Sequence, residues 1–296
     1  MRDIESNAIK TVEREKKFHE IFQTEIFPRY FEYLEKPLVN PEVYFIGGQP
    51  GSGKSVRERV LFSELNNKHP NTVVEINGDD YRAFHPDYYQ LLSENDATAA
   101  AKMNQDNKIF IESSIKASIK SGVHVILEGT FRQPEVVQST AELYHNNGYT
   151  ANGILLAVHP ILSRVGIFRR YCEQKKIARF ARYVEKWSHD AALNGLYETT
   201  SLLINNKSLD NFTIIKQNGE LLFQAFLKNL SDNACKVLAN DVKNILSEVH
   251  GSLSRKEIDF ANYELNTIDK TIRLLNVPEV IKSDYEQLRQ DLINSN

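Results

Sequence analysis

Eight consecutive residues, Gly48-Gln49-Pro50-Gly51-Ser52-Gly53-Lys54-Ser55, carry the densest chemistry in the chain. They satisfy the G-x-x-x-x-G-K-[ST] spacing of a P-loop. Their context fits as well, because the apolar run VYFIG precedes them as a strand and VRERVLFSEL follows as a helix. Glycines let successive backbone N–H groups converge on phosphate oxygens, and the N-terminus of the following helix adds a favourable dipole. In such a loop Lys54 reaches the β and γ phosphates and the Ser55 hydroxyl ligates Mg²⁺. The competing reading is a glycine-rich turn that binds nothing, and strand, loop and helix in the right order argue against it. The expected ligands are ATP and Mg²⁺.

A second group of polar residues follows apolar strands. Asp79 and Asp80 come directly after TVVEING, and a carboxylate at a strand end can accept a proton from a substrate hydroxyl, which makes Asp79 the candidate general base, with a turn aspartate that caps the next segment as the bland alternative. Glu128 ends VHVILE, with Thr130 and Arg132 just beyond, and these three should face the crevice into which the P-loop opens. A solvated turn glutamate is the bland alternative. Between Arg164 and Lys186 stand eight basic residues, Arg164, Arg169, Arg170, Lys175, Lys176, Arg179, Arg182 and Lys186. A phosphoryl-transfer site could use some of them to neutralise developing charge.

These residues need a scaffold that gathers strand ends. Apolar blocks at 42–48, 72–78, 123–129 and 152–158 alternate with helix-like stretches, which predicts an α/β fold with a mainly parallel P-loop-type sheet and helices on both faces. Ligands then collect at strand C-termini. Residues 211–224 read as a strand, an Asn218-Gly219 turn and a second strand. A helical lead-in is expected over 1–41, a kinase core over 42–228, and two or three amphipathic helices over 229–296. A net charge of −3 and 41% hydrophobic residues give no electrostatic reason to seek nucleic acid or a membrane surface. The start MRDIESNAIKTVEREKKF has no apolar core of a signal peptide, and Cys172 and Cys235 show no metal or redox spacing, so a reducing cytoplasm is expected.

Several blocks in order resemble the zeta toxin family, the kinase half of epsilon/zeta toxin-antitoxin pairs, which phosphorylate UDP-N-acetylglucosamine. They are GGQPGSGKS (47–55), NGDDYRAFHPDY (77–88), Glu112, LEGTFR (127–132), and RRY with ARYVEKWSHD (169–190), so the resemblance covers roughly 40–225. It selects Asp79, two residues before the Tyr81-Arg82 pair, as the general base. It implies acceptor-side roles for Arg82, His85, Glu112, Glu128, Thr130 and Arg132, although a loop histidine beside Pro86 and a glutamate on a polar helix are by default structural and exposed. It matches Arg170 and Arg182 to two phosphate-contacting arginines and leaves the other six basic residues as a solvated helix face. The implied reaction is transfer of the γ phosphate to the 3′-hydroxyl of the amino sugar, which would block cell-wall precursor synthesis, with an antitoxin protein or a terminal helical segment as inhibitor.

Three other readings remain open from the sequence. A kinase of the same architecture could act on a nucleoside or an antibiotic hydroxyl. A nucleotide-dependent switch would need no acceptor, although the nearest approach to a guanine-reading N-K-x-D motif, Asn206 to Asp210, is one residue too long. The helical tail could be the working part beside a vestigial kinase, against which the intact Lys54, Ser55, Asp79 and Glu128 argue.

Overall fold

The computed structural model describes residues 2–35, 37–94, 96–129, 131–178, 181–275 and 277–295. Six strands form one sheet in the order β2-β3-β1-β4-β5-β6, where β1 is Glu42–Gly47, β2 Val73–Ile76, β3 His124–Glu128, β4 Thr150–Leu156, β5 Asn211–Ile215 and β6 Leu221–Phe226. The β2/β3 pair is parallel with Val73 opposite His124, and β4/β5 is parallel with Asn152 opposite Asn211. At the sheet edge β5 and β6 pair antiparallel, joined through the expected turn where Gly219 takes φ 88°. The predicted mainly parallel α/β sheet is therefore what the chain forms.

The chain divides into two compact units, Met1–Val43 with Val60–Glu128, and Tyr44–Arg59 with Gly129–Asn296. The first contains α1 (Arg2–Ile21), a π-turn (Phe22–Ile26), α2 (Phe27–Tyr30), most of α3 (Lys54–Lys68), β2, α4 (Gly78–Tyr81), a 3₁₀ turn (Arg82–Phe84), α5 (Tyr88–Glu94), α6 (Asp96–Ser121) and β3. The helical lead-in belongs here because Phe18, Phe22 and Phe31 are buried in this unit: Phe18 meets Phe110 with ring centroids 5.4 Å apart, and Phe22 sits among Phe27 and Phe31. β2 and β3 supply Val74, Ile76, Val125 and Ile126 to the same core.

The second unit holds most of β1, the loop after it, β4 to β6, α7 (Pro134–His145), α8 (Pro160–Ile177), α9 (Lys186–Asn205), α10 (Asp232–Gly251), α11 (Arg255–Leu274) and α12 (Glu279–Asn294). The tail is thus three helices, each with an apolar face. Leu246, Leu265, Ile268 and Leu288 are buried, and α11 starts on a full capping box between Ser254 and Glu257. One expectation fails here. Arg164 is not on a solvated face: it is buried on α8, donating from Nη1 to Asp291 Oδ2 at 2.6 Å and from Nη2 to the Asp284 carbonyl at 3.1 Å. The reason is that α12 covers this side of α8 and brings the carboxylate with it, a long-range contact no charge run reveals. Among the described residues no helix is long and apolar enough to cross a membrane.

Candidate functional site

The glycine-rich segment lies between β1 and α3 and is shaped by backbone conformation. Gly48, Gly51 and Gly53 adopt φ of 148°, 80° and 96°, a region that L side chains avoid. Space is equally restrictive, since a Cβ on Gly51 would stand 1.9 Å from the Ser163 carbonyl oxygen, and one on Gly48 2.7 Å from Ser52 Oγ. Lys54 Nζ is buried and donates to the carbonyls of Gly48 and Gln49 at 3.0 and 3.2 Å, which holds the ammonium against the loop. Ser52 Oγ is buried with no hydrogen-bond partner among the described residues. A concave loop of this kind, with a held ammonium and an uncommitted hydroxyl, fits a polyphosphate chain. Ser55, the second residue of α3, is exposed.

Gln49 plays a different part from that implied for its backbone. Its side chain is fully buried, and Nε2 donates to the Val158 carbonyl at 2.6 Å and to Ser163 Oγ at 3.3 Å. Ser163 Oγ also lies 2.8 Å from His189 Nε2, and His189 Nδ1 is 3.0 Å from Asp190 Oδ1. The loop is therefore tied through one chain of polar contacts to the segment after β4, to α8 and to α9. No motif gives Ser163 away, and His189, although it falls in the ARYVEKWSHD block, shows its support of the loop only through what packs on it.

In the same unit Gly129 N donates to the Ile46 carbonyl, and Phe131 follows with φ 54°, an uncommon conformation for an aromatic residue. Its ring packs where a Cβ on Gly47 would stand, 2.5 Å from Phe131 Cγ, so the glycine is needed to admit the ring. Arg132 comes next, with an exposed side chain and a backbone that rests on Gly195 of α9. Thr130, expected beside it, lies outside the described residues. Arg170 is half-buried on α8. Arg182 lies beyond it, its backbone N–H bonded to Gln174 Oε1 at 2.8 Å, and desolvation pushes its guanidinium down to about 10. The adjoining Tyr183 hydroxyl donates to Asp284 Oδ2 of α12 at 2.5 Å. Arg179 lies outside the described residues.

The acidic residues belong to the first unit. Asp79 sits in the first turn of α4 rather than in an open loop, and the Asn77 side chain caps that turn by accepting from Asp79 N at 2.9 Å. Asn77 Nδ2 at the same time donates to Glu128 Oε2 at 2.8 Å. One asparagine thus fixes both carboxylate-bearing segments. The signal that could have found it is the Asn-Gly-Asp cap pattern after a strand. Arg82 Nη1 donates to Asp79 Oδ1 at 2.6 Å and Nη2 to Asn104 Oδ1 at 3.1 Å. Asp80 is held above the usual carboxylate range, first by burial and then by the charge of Glu128.

His85 and Glu112 take contrasting positions. The His85 ring is buried, Nδ1 accepts from Asp87 N at 3.1 Å, Nε2 lies 3.0 Å from Asp106 Oδ2, and the ring packs on Phe18. Asp106 in turn accepts two hydrogen bonds from Arg14. Both ring nitrogens are thereby committed within the protein. Glu112 is exposed on α6 with Lys108 Nζ 3.5 Å away. It stands one residue along from Ile111, which with Asn107 borders Gly78.

A mainly parallel α/β sheet with a glycine-lined phosphate cradle between its first strand and the next helix defines a P-loop nucleotide-binding type of protein. The zeta toxin family model matches residues 29–246, and the chain belongs to that family. Toxin zeta of Enterococcus hirae is 24% identical over 247 residues, covering 82% of this chain and 85% of the relative. Toxin PezT of Streptococcus pneumoniae is 27% identical over 205 residues, covering 69% and 79%. A solved chain from the PezAT chromosomal toxin-antitoxin system of Streptococcus pneumoniae superposes with a TM-score of 0.69 at 23% identity, over 86% of this chain and 96% of that one. A chain of the AvrRxo1-ORF1:-ORF2 complex crystallised with ATP gives a TM-score of 0.53 at 13% identity, over 96% and 89%. These two likenesses establish the fold.

Proposed function

We propose that the chain is an ATP-dependent kinase that phosphorylates the 3′-hydroxyl of the amino sugar in UDP-N-acetylglucosamine and so acts as a toxin on cell-wall precursor synthesis. The observation that carries this reading is the cradle of Gly48, Gly51 and Gly53 with Lys54 held against it, in a chain of the zeta toxin family. ATP with Mg²⁺ supplies the transferable γ-phosphoryl group and the charge that screens it. The loop from Gly48 to Ser55 binds the phosphates, and the Ser55 hydroxyl takes the magnesium ion. Asp79 accepts the proton of the sugar hydroxyl while that oxygen bonds to the γ phosphorus and the bond to the β-γ bridging oxygen breaks, releasing ADP. Lys54, Arg170 and Arg182 neutralise the charge on the moving group, and a desolvated guanidinium such as that of Arg182 acts more strongly there than one in water.

Glu128, Thr130, Arg132, Glu112 and Arg82 are the proposed acceptor contacts, with Arg82 also orienting Asp79 through their ion pair. His85 serves by holding the segment after the base in shape, since its ring nitrogens are already engaged. An antitoxin protein is the proposed partner, by likeness to relatives from toxin-antitoxin systems, and the cytoplasm the proposed compartment, which suits two buried free cysteines.

The test is incubation of the purified chain with Mg-ATP and UDP-N-acetylglucosamine, following product mass and ADP release. Phosphorylated UDP-sugar from the wild type and none from Asp79→Asn is the expected result. ADP release without any phosphorylated sugar would reject this acceptor in favour of another hydroxyl compound.

A further inference from the structure

The tail helices have no part in the mechanism above, yet α11 lines a cavity whose opposite wall touches the cradle through Gln217. A cavity of about 310 Å³ opens in the second unit at the C-terminal ends of β4 and β5, lined by Val158, Leu162, Gln217, Val249, Glu257 and Phe260 among others. Its continuity with the P-loop rests on two contacts. The Gln217 side chain lies against Gly53, where a Cβ would meet Nε2 at 3.2 Å, and Gln49 of the loop donates to the carbonyl of Val158. The volume is at the lower end of small-ligand sites.

The walls differ in kind. Val158, Leu162 and Val249 are apolar. Phe260 is 41% exposed on α11, although the same helix buries Ala261, Leu265, Ile268 and Ile272. A partly exposed aromatic ring at the mouth of an apolar cavity is a stacking face for a flat ring system. At the edge stand hydrogen-bonding groups, the amide of Gln217 and the Glu257 carboxylate, whose Oε2 already accepts from Ser254. Apolar faces with a polar rim suit a heteroaromatic base. Phosphates in the cradle would leave a tethered base within reach of this cavity.

We propose that this cavity takes the adenine base of the bound nucleotide, with Phe260 of α11 stacking on it. The inference rests on the nucleotide-binding reading of the cradle and extends it to a segment beyond residue 246, where the family match ends. The tail thereby acquires a function, because α11 completes the nucleotide site while the cradle holds the phosphates without it.

The experiment is calorimetric titration of the full chain with Mg-ATP and, separately, with magnesium tripolyphosphate, which has no base. The wild type should bind ATP about tenfold more tightly than tripolyphosphate, and Phe260→Ala should lose about that factor for ATP while its affinity for tripolyphosphate stays within about twofold. Phe260→Trp, which keeps a stacking face, should retain ATP affinity. Tripolyphosphate binding by Phe260→Ala reports that the variant is folded. Equal ATP affinity in wild type and Phe260→Ala would overturn the base site while leaving the cradle intact. A wild type that binds neither ligand would overturn the nucleotide reading itself, and this inference with it.

Discussion

The phosphate cradle and the acidic segment around Asp79 are built by opposite means. The cradle is a matter of backbone: three glycines at positive φ, a carbonyl 1.9 Å from where a Cβ on Gly51 would stand, and a lysine folded onto main-chain oxygens. The acidic segment is a matter of side chains, in which Asn77 caps the turn and holds Glu128, Arg82 pairs with Asp79, and the buried Asp106 joins His85 to Arg14. A backbone device has few sequence solutions and tolerates no Cβ. A side-chain network distributes the same burden over residues scattered widely along the chain, any one of which carries only part of it.

The sharpest separation of the two comes from Asp79→Asn, which should lower the rate of phosphoryl transfer about a thousandfold while ATP affinity by titration stays within about twofold. Loss of ATP binding in that variant would erase the distinction, because the carboxylate would then be part of the cradle. Gly51→Ala makes the converse break. A Cβ against a backbone oxygen at φ 80° should lower ATP affinity about a hundredfold, with titration as the readout.

Next in size is a pH effect confined to the second unit. Burial first, then the neighbouring His159 and His189, push the His250 imidazole down to about 4, and its Nδ1 bonds the Tyr197 hydroxyl. An unfolded histidine titrates near pH 6.5, so between about pH 4 and 6.5 the unfolded chain binds more protons and stability rises with pH. The contribution is fully present above pH 6.5 and falls by about 3 kcal/mol once the pH drops below 4, as an order of magnitude. Denaturation midpoints of His250→Phe should show a flatter dependence over this window than the wild type. The smallest effect is Asp106→Asn in the first unit, which leaves His85 and Arg14 with a neutral partner and should cost about 2 kcal/mol in urea denaturation. Phosphate affinity should not move, since the network supports side chains rather than the cradle.

The unequal legibility of the site follows from this difference. Gly48 to Ser55 can be read from spacing because the loop geometry demands those residue types. The alternation of apolar blocks with helical stretches reveals the parallel sheet and its closing hairpin for the same reason: period and turn chemistry are local. Arg164 misleads, since a basic residue in a charged run looks solvated until α12 is folded over it. Ser163 is invisible as functional support, because it acts through Gln49 and His189, both far from it in the chain, and Asn77 shows in the sequence only as the cap of its own turn, its bond to Glu128 being set by packing.

The sequence by itself determined the phosphate cradle, the order of strands and helices and the family's run of motifs, all of which depend on neighbours within a few residues. Only the tertiary structure decided that His85 faces inward onto Asp106, that Gln49 anchors the loop instead of leaving its side chain toward a ligand, and that α11 brings Phe260 to a cavity beside Gly53. Those outcomes are set by which distant side chains share a buried polar contact. Unpaired polar groups are costly once water is excluded, and the partner that satisfies each one is chosen by packing.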